Sequence, residues 1–485
     1  MKNFSLSKLS PIALVLGILL AVSVIQLIRQ LFGDPGQFLN ATVKGLALGG
    51  VYAMIALGFV IIFKATQVVN FAQGALAATG ALFLSFLVFD TPGGDEPRGQ
   101  TPGTWWRAPF AGEGFPDFGE QWASILLISL LAGILWAMLI GRPPTGASIG
   151  AGFASFLAFR WLATRQGFTW LDEPVVSLAI AIAIAFGVGM ARGWKPSIRI
   201  AYGGAIAFVI MLVVAVTDSV WVEWIGNLFI ALLFGAIFGM TLERIAIRPM
   251  VGQPLFSMAV ITLGLEISIR QFSNDSVKIL NRPVEAPWQG DAATGGDGGF
   301  LLGSGDNSFY NWSWIAILIV TGLSFLAVNA FYRSKLGVAM RAVSFDQEAA
   351  MAQGINVGQV FAIAWAFGAS LAVLGGVFAS QPPISEEGAV TVLTALVAFR
   401  ALPAVILGGL DSVKGALIGG ALIGLSEIYA GTYLSQWTTQ PFVLFGREIL
   451  ALGAGYSQIV PFIVMMGVLL VRPYGLFGTP EVRRV

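Results

Sequence analysis

Apolar runs of about 20 residues, long enough to cross a hydrocarbon core, alternate along this chain with polar connectors. They fall near 11–31, 39–63, 74–89, 122–140, 146–163, 174–191, 200–217, 226–246, 255–272, 312–331, 357–378, 391–410, 415–433 and 457–472. That makes about fourteen, some of them re-entrant or interfacial by length. The predicted fold class is all-α: a polytopic membrane helical bundle of about 12–14 transmembrane or re-entrant segments. Two long polar stretches, Asp90–Gln121 and Asn274–Asn311, interrupt the pattern and read as loops rich in Gly, Pro and acids.

Composition agrees with the pattern. Of 485 residues, 56% are hydrophobic and only 11% charged, too apolar for one water-soluble core. The net charge of +1 and the absence of a long basic run give no footprint for nucleic acid. The chain has no Cys and no His, which excludes disulfides, thiol chemistry, Cys/His zinc sites, His-ligated haem and His acid–base catalysis. No cofactor is expected. Lys2 and Lys8 precede an apolar run from Ile12 to Leu27 without an evident small-residue cleavage site, so this run is expected to be a retained first helix.

Charge orients the chain. With a cytoplasmic N-terminus, most Lys and Arg fall in cytoplasmic segments, whereas Asp95, Glu96, Asp291, Asp297, Glu386 and Glu387 fall on the other side. Arg160 and Arg165 fit this arrangement poorly. Both termini are then cytoplasmic, and so is the charged stretch YRSKLGVAMRAVSFDQEAAMAQGIN, Tyr332–Asn356.

Within that stretch Leu336, Met340 and Val343 form an apolar stripe at helical spacing. Ser344 with Gln347 is a capping-box pattern, and Gly354 is a natural stop, predicting a short helix from Phe345 to Gln353 that presents Ala349, Ala350 and Ala352. Such a knob suits helix-in-groove docking on another protein. An amphipathic connector lying on the headgroups fits the pattern equally.

Glu348-Ala349-Ala350 followed by Gly354-Ile355 resembles the EAA-type coupling loop of ABC importer permeases. The surrounding run SKLGVAMRAVSFDQEAAMAQGINV is similar to the form seen in branched-chain (hydrophobic) amino acid permeases. So are GLALGGVYAMIALGFVIIFKATQVVNFAQG (Gly45–Gly74), VILGGLDSVKGALIGGALIGLSE (Val405–Glu427) and LLVRPYGLFG (Leu469–Gly478). The resemblance implies a permease subunit without catalytic chemistry. Its partners would be cytoplasmic ATPase subunits, a second homologous permease and a periplasmic substrate-binding protein, its substrate an amino acid, and its location the bacterial inner membrane. It also implies that Glu348, Ala349, Ala350, Gly354 and Ile355 contact the ATPase.

Two departures stand out. Gln73 replaces the family's usual His in the Asn70-Phe71-Ala72-Gln73-Gly74 block, so that position cannot titrate near neutrality. Residues 90–217 look like an insertion of a periplasmic loop and about four helices, dividing the chain into permease helices 1–89, the insertion, and permease helices 218–485.

No Walker A pattern occurs; GGLDSVKG, Gly408–Gly415, lacks the Gly-Lys pair. ATP hydrolysis by that route is excluded, and a partner must supply it. A translocation path favours small and uncharged polar groups, which nominates Asn70, Gln73, Gly49, Gly50, Gly408 and Gly409, although helix packing explains any single Gly as well. Glu266, Arg270, Arg400 and Glu427 are the remaining buried-looking polar groups, with Glu266 and Arg270 spaced to pair with each other. Val43–Gly50 echoes Val413–Gly420 in the opposite membrane direction, as an inverted repeat or as chance in Gly/Leu-rich sequence. A stand-alone secondary transporter or channel is the rival reading, and an ABC permease for urea or short amides the nearer alternative.

Overall fold

The computed structural model describes residues 33–88, 220–250, 254–277, 281–284, 286–288, 298–301, 309–386, 388–391, 393–434, 442–444, 447–450 and 454–479, with a few isolated positions between 154 and 193. The runs predicted near 11–31, 122–140, 146–163, 174–191 and 200–217, and the loop Asp90–Gln121, lie outside these stretches.

In chain order the elements are α1 (Pro35–Thr66), α2 (Gln73–Val88), α3 (Val220–Leu242), which continues through a π-turn Glu243–Ile247 and a 3-10 turn Arg248–Met250, and α4 (Leu255–Val277). There follow strands β1 (Asn281–Pro283), β2 (Gly299–Leu301) and β3 (Phe309–Asn311), then α5 (Trp312–Arg333), α6 (Lys335–Phe345), α7 (Gln347–Ala352) and α8 (Val357–Ala379). The chain closes with β4 (Ala389–Thr391), a 3-10 turn Thr394–Leu396, α9 (Val397–Gly408), α10 (Val413–Tyr429), strands β5 (Phe442–Leu444) and β6 (Arg447–Leu450), and α11 (Val460–Val471).

Apart from the run at 391–410, every predicted apolar run within the described stretches coincides largely with helix. Five helical segments there are long and apolar enough to cross a membrane: Pro35–Thr66, Trp224–Met250, Trp312–Arg333, Val357–Ala379 and Val413–Tyr433. The protein is a multi-pass helical membrane protein. The run at 391–410 is corrected in detail: it is broken into β4, a 3-10 turn and the 12-residue α9. Twelve residues reach only about 18 Å, short of a 30 Å core. The described parts of Asn274–Asn311 include regular elements: α4 continues to Val277, β1 pairs antiparallel with β4, and β2 with β3.

Helix starts follow local chemistry. α1, α6, α7, α8 and α10 each open on a polar residue whose side chain accepts from the backbone N–H three residues on: Asp34, Ser334, Asp346, Asn356 and Ser412.

The chain forms two compact units. Unit one comprises Met1–Val60, Trp288–Val328 and Ala398–Val485; unit two comprises Ile61–Pro287 and Asn329–Val397. In unit one, α1 and α10 run antiparallel at glycine contact: a Cβ on Gly49 would lie 2.5 Å from the Gly420 carbonyl oxygen and 2.8 Å from the Ala421 Cα. Gly45 meets Leu425 and Gly50 meets Ile317 and Thr321. The two echoing segments Val43–Gly50 and Val413–Gly420 therefore belong to directly packed, oppositely running helices. In unit two, α2, α3 and α8 form the core, where Gly239 admits Ala369, Gly80 admits Val373, and Phe83 stacks on Phe234 with centroids 4.3 Å apart.

Candidate functional site

The polar connector between α5 and α8 is two short helices joined at one extended residue. Asp346, at φ −155° and ψ 111°, ends α6 and caps α7, its carboxylate accepting from Ala349 N at 2.9 Å. This corrects the predicted Ser344/Gln347 capping box and the helix bounds Phe345–Gln353. Ser344 is still inside α6, where its hydroxyl meets the Gln67 amide at 3.1 Å. The buried stripe is Gly337, Met340 and Val343; Leu336, predicted to lie on it, is 43% exposed. Gly337 takes that place because a Cβ there would overlap the backbone of Phe331 and Tyr332.

Gly354 does end the second helix. It sits at φ +80°, a left-handed backbone that glycine adopts without penalty. Its N–H bonds Met351 O at 2.9 Å and Ile355 N bonds Ala350 O at 3.0 Å, the paired bonds of a Schellman stop. Ala350 faces inward at 4% exposure, whereas Glu348, Ala349, Met351, Ala352 and Gly354 face outward. Phe345, just before the cap, is 86% exposed. The outward surface thus carries two large apolar side chains, Phe345 and Met351, beside small ones.

The connector is tied to its own unit at several points. Lys64 Nζ lies 5.1 Å from the centroid of the Tyr332 ring, a cation–π contact. Arg341 donates to Tyr332 O at 2.7 Å. At the start of α8, Arg248 bonds Glu243 at 3.1 Å and also donates to the Gly358 carbonyl in the first turn of that helix. Glu243 and Arg248 did not stand out in the sequence, although Glu-Arg-Ile-Ala-Ile-Arg closing an apolar run was a usable signal.

The break between α1 and α2 is a second polar centre in unit two. Asn70 donates to the Gln73 side chain at 3.1 Å and accepts from Ala72 N; Gln73 donates to Gly368 O on α8 at 3.1 Å. From α4, Thr262 accepts from Phe71 N at 3.1 Å, and Glu266 accepts from Ala75 N at 2.6 Å while lying 3.4 Å from Arg270. Asn70 and Gln73 are fully buried, and every one of these bonds serves to hold the break. The other four residues nominated for a path are packed as well: Gly49 and Gly50 as described, Gly408 against Gly415, and Gly409, at φ +102°, against Gly478.

In unit one a third centre joins three helices. Tyr52 on α1 donates to Glu427 Oε2 at 2.7 Å, and Arg400 in the first turn of α9 pairs with Glu427 Oε1 on α10. The sequence marked Arg400 and Glu427 as buried but did not connect them to Tyr52.

Comparison with known proteins places these features in a family. The profile of the branched-chain amino acid transport system permease component matches residues 41–177 and 168–469. The high-affinity branched-chain amino acid transport system permease protein LivH of Escherichia coli K12 is 28% identical over 314 residues, covering 62% of this chain and 92% of that protein. The corresponding permease BraD of Pseudomonas aeruginosa is 28% identical over 318 residues, with 62% and 92% covered. The fructose import permease protein FruF of Bifidobacterium longum is 24% identical over 281 residues, covering 56% and 73%. No solved structure matches the chain. With a matched profile spanning most of its length, the chain belongs to the branched-chain amino acid transport system permease family.

Proposed function

We propose that this chain is a transmembrane subunit of an ATP-driven importer that carries amino acids, branched-chain or otherwise hydrophobic, across the bacterial inner membrane. It performs no covalent chemistry. Cytoplasmic ATPase subunits drive it, a second homologous permease completes the pathway, and a periplasmic binding protein delivers substrate. Both termini are cytoplasmic, and so is Tyr332–Asn356.

The observation that carries this reading is the connector itself. Two capped helices, closed by a Schellman stop at Gly354, hold Glu348, Ala349 and Met351 outward on a rigid base. An ATPase groove would receive this knob, with Phe345 and Met351 as apolar anchors and Ala349 permitting close approach. Ala350 and Ile355 act from below, Ala350 as the inward foot of α7 and Ile355 as the last bond of its stop. Movement received here reaches α8 through Asn356 and α3 through Arg248 and Gly358.

Along the path, Asn70 and Gln73 act by fixing the break between α1 and α2. Gly49, Gly50, Gly408 and Gly409 set how closely their own helices pack. The insertion at 90–217 is an addition to the plan shared with the relatives, supported by their alignment to only 62% of this chain while 92% of their own length is covered.

The test is uptake of labelled leucine into proteoliposomes containing the assembled complex, with and without ATP. Uptake that requires ATP and the ATPase supports the reading. Uptake by this chain alone, without nucleotide, favours a secondary transporter or channel.

A further inference from the structure

An amino acid crosses as a zwitterion, and neither charge can enter a low-dielectric span without a partner. A path for such a substrate therefore needs one cation and one anion close together, each with bonding capacity to spare. Three carboxylate–arginine centres occur among the described residues: Glu243 with Arg244 and Arg248, Glu266 with Arg270, and Glu427 with Arg400.

The first two are committed elsewhere. Arg248 is bound to the Gly358 carbonyl, and Glu266 to the N–H of Ala75. Glu266 and Arg270 also sit one turn apart on a single helix, so no movement of helices separates them. The third centre differs in its placement, and its carboxylate is held by a side-chain hydroxyl rather than by a backbone N–H. Arg400 and Glu427 lie on different helices, α9 and α10, and α9 is a short helix that does not span. The Arg400 side chain is 30% exposed, as is that of Arg270, and Glu427 at 7% is a little less covered than Glu266 at 1%. An exposed guanidinium within apolar helices faces water rather than lipid. Its Nε, like those of Arg244 and Arg270, has no hydrogen-bond partner among the described residues, which leaves part of its donor fork unspent. The Tyr52 hydroxyl gives Glu427 a second partner, so the carboxylate is held in place if Arg400 turns away.

We propose that Tyr52, Arg400 and Glu427 form a substrate-reading site for the α-amino acid zwitterion. The substrate carboxylate takes the Arg400 guanidinium, and the substrate ammonium takes Glu427 with Tyr52 still bound to it. The resting pair is an internal stand-in for the substrate's own two charges. Exchange of partners keeps the site neutral at every stage, so no proton need move and no charge is left bare. The site would pass any α-amino acid with a tolerated side chain and would reject a sugar, an amine or a carboxylic acid alone. This inference rests on the amino acid importer reading and names the residues that recognise its substrate.

Two measurements test it on the full complex. The first is leucine uptake by the double variant Arg400→Gln, Glu427→Gln, in which two amides retain a hydrogen bond across the helices without opposite charges. The expected result is a fall of roughly tenfold to a hundredfold in uptake per assembled complex, the scale of losing charged hydrogen bonds. Uptake at the native rate would overturn the site. The second uses the native complex without its binding protein, following hydrogen–deuterium exchange across residues 397–434. L-Leucine is expected to change exchange there, whereas 4-methylpentanoate and 3-methylbutylamine, which each carry one of its two charges, are not. An equal response to all three, or none to leucine, overturns the site even if the double variant does not fold. A native complex that imports no amino acid would instead contradict the importer reading itself.

Discussion

Glu266 on α4 accepts a hydrogen bond from the backbone N–H of Ala75 at 2.6 Å, reaching 191 positions back along the chain to the first turn of α2. A helix that begins inside a membrane has N–H groups that no water can satisfy. A carboxylate at that end also meets the positive pole of the helix.

Replacing Glu266 should therefore cost more than one side chain. Glu266→Ala leaves a buried N–H without its acceptor and Arg270 without its counter-charge, a loss of about 2–4 kcal/mol. Glu266→Gln keeps an acceptor and should lose about half as much. Thermal unfolding of the purified subunit in detergent measures both, and equal effects of the two changes would show that the N–H bond is unimportant.

The cap of the second connector helix is expected at Asp346. Asp346→Ala should destabilise the connector by about 1 kcal/mol, whereas Ser344→Ala should change stability by only a few tenths. Hydrogen exchange of the amides at 347–352 reads the difference. The reverse order would restore the Ser344/Gln347 pattern as the true start.

At Gly354, φ +80° makes any side chain strained even though the space around it is open. Gly354→Ala should cost about 1 kcal/mol and Gly354→Val more. On the proposed function both weaken capture of the ATPase subunits in a pull-down while membrane insertion is unchanged. Full capture and full uptake with Gly354→Val would reduce the connector to a surface link.

Glycine at the α1–α10 crossing is expected to matter by contact rather than by conformation. Gly49→Val would drive its side chain into the Gly420 backbone and should separate the helices, read as loss of folded protein after detergent extraction. At Gly264 on α4 a Cβ would meet nothing within 4 Å. Gly264→Ala should therefore be neutral or stabilising by up to about 1 kcal/mol.

What the sequence made legible was local. A run of about 20 apolar residues announces a helix because the bilayer sets its length and backbone satisfaction sets its form. Gly354 was readable because few other residues accept its backbone geometry. The true cap was not, because choosing Asp346 over Ser344 requires knowing that α6 continues to Phe345. The broken run at 391–410 looked continuous because apolar composition is the same in a strand, a turn and a helix. Partnerships were hidden most completely. Tyr52 and Glu427 are 375 positions apart, and Arg248 is 110 from the Gly358 carbonyl it binds. Nothing in either local pattern points across such a distance. Asn70 and Gln73 were picked out as amides among apolar residues; the structure adds that their hydrogen-bonding capacity goes to the break they sit in.

The most direct test of the importer reading is leucine accumulation in proteoliposomes holding this chain, its permease partner, the ATPase subunits and the binding protein. Accumulation against a gradient is expected only with hydrolysable ATP, and is expected to disappear when Phe345 and Met351 are both changed to Asp so that the ATPase loses its anchors. Accumulation without ATP, or unimpaired accumulation by that double variant, would contradict it.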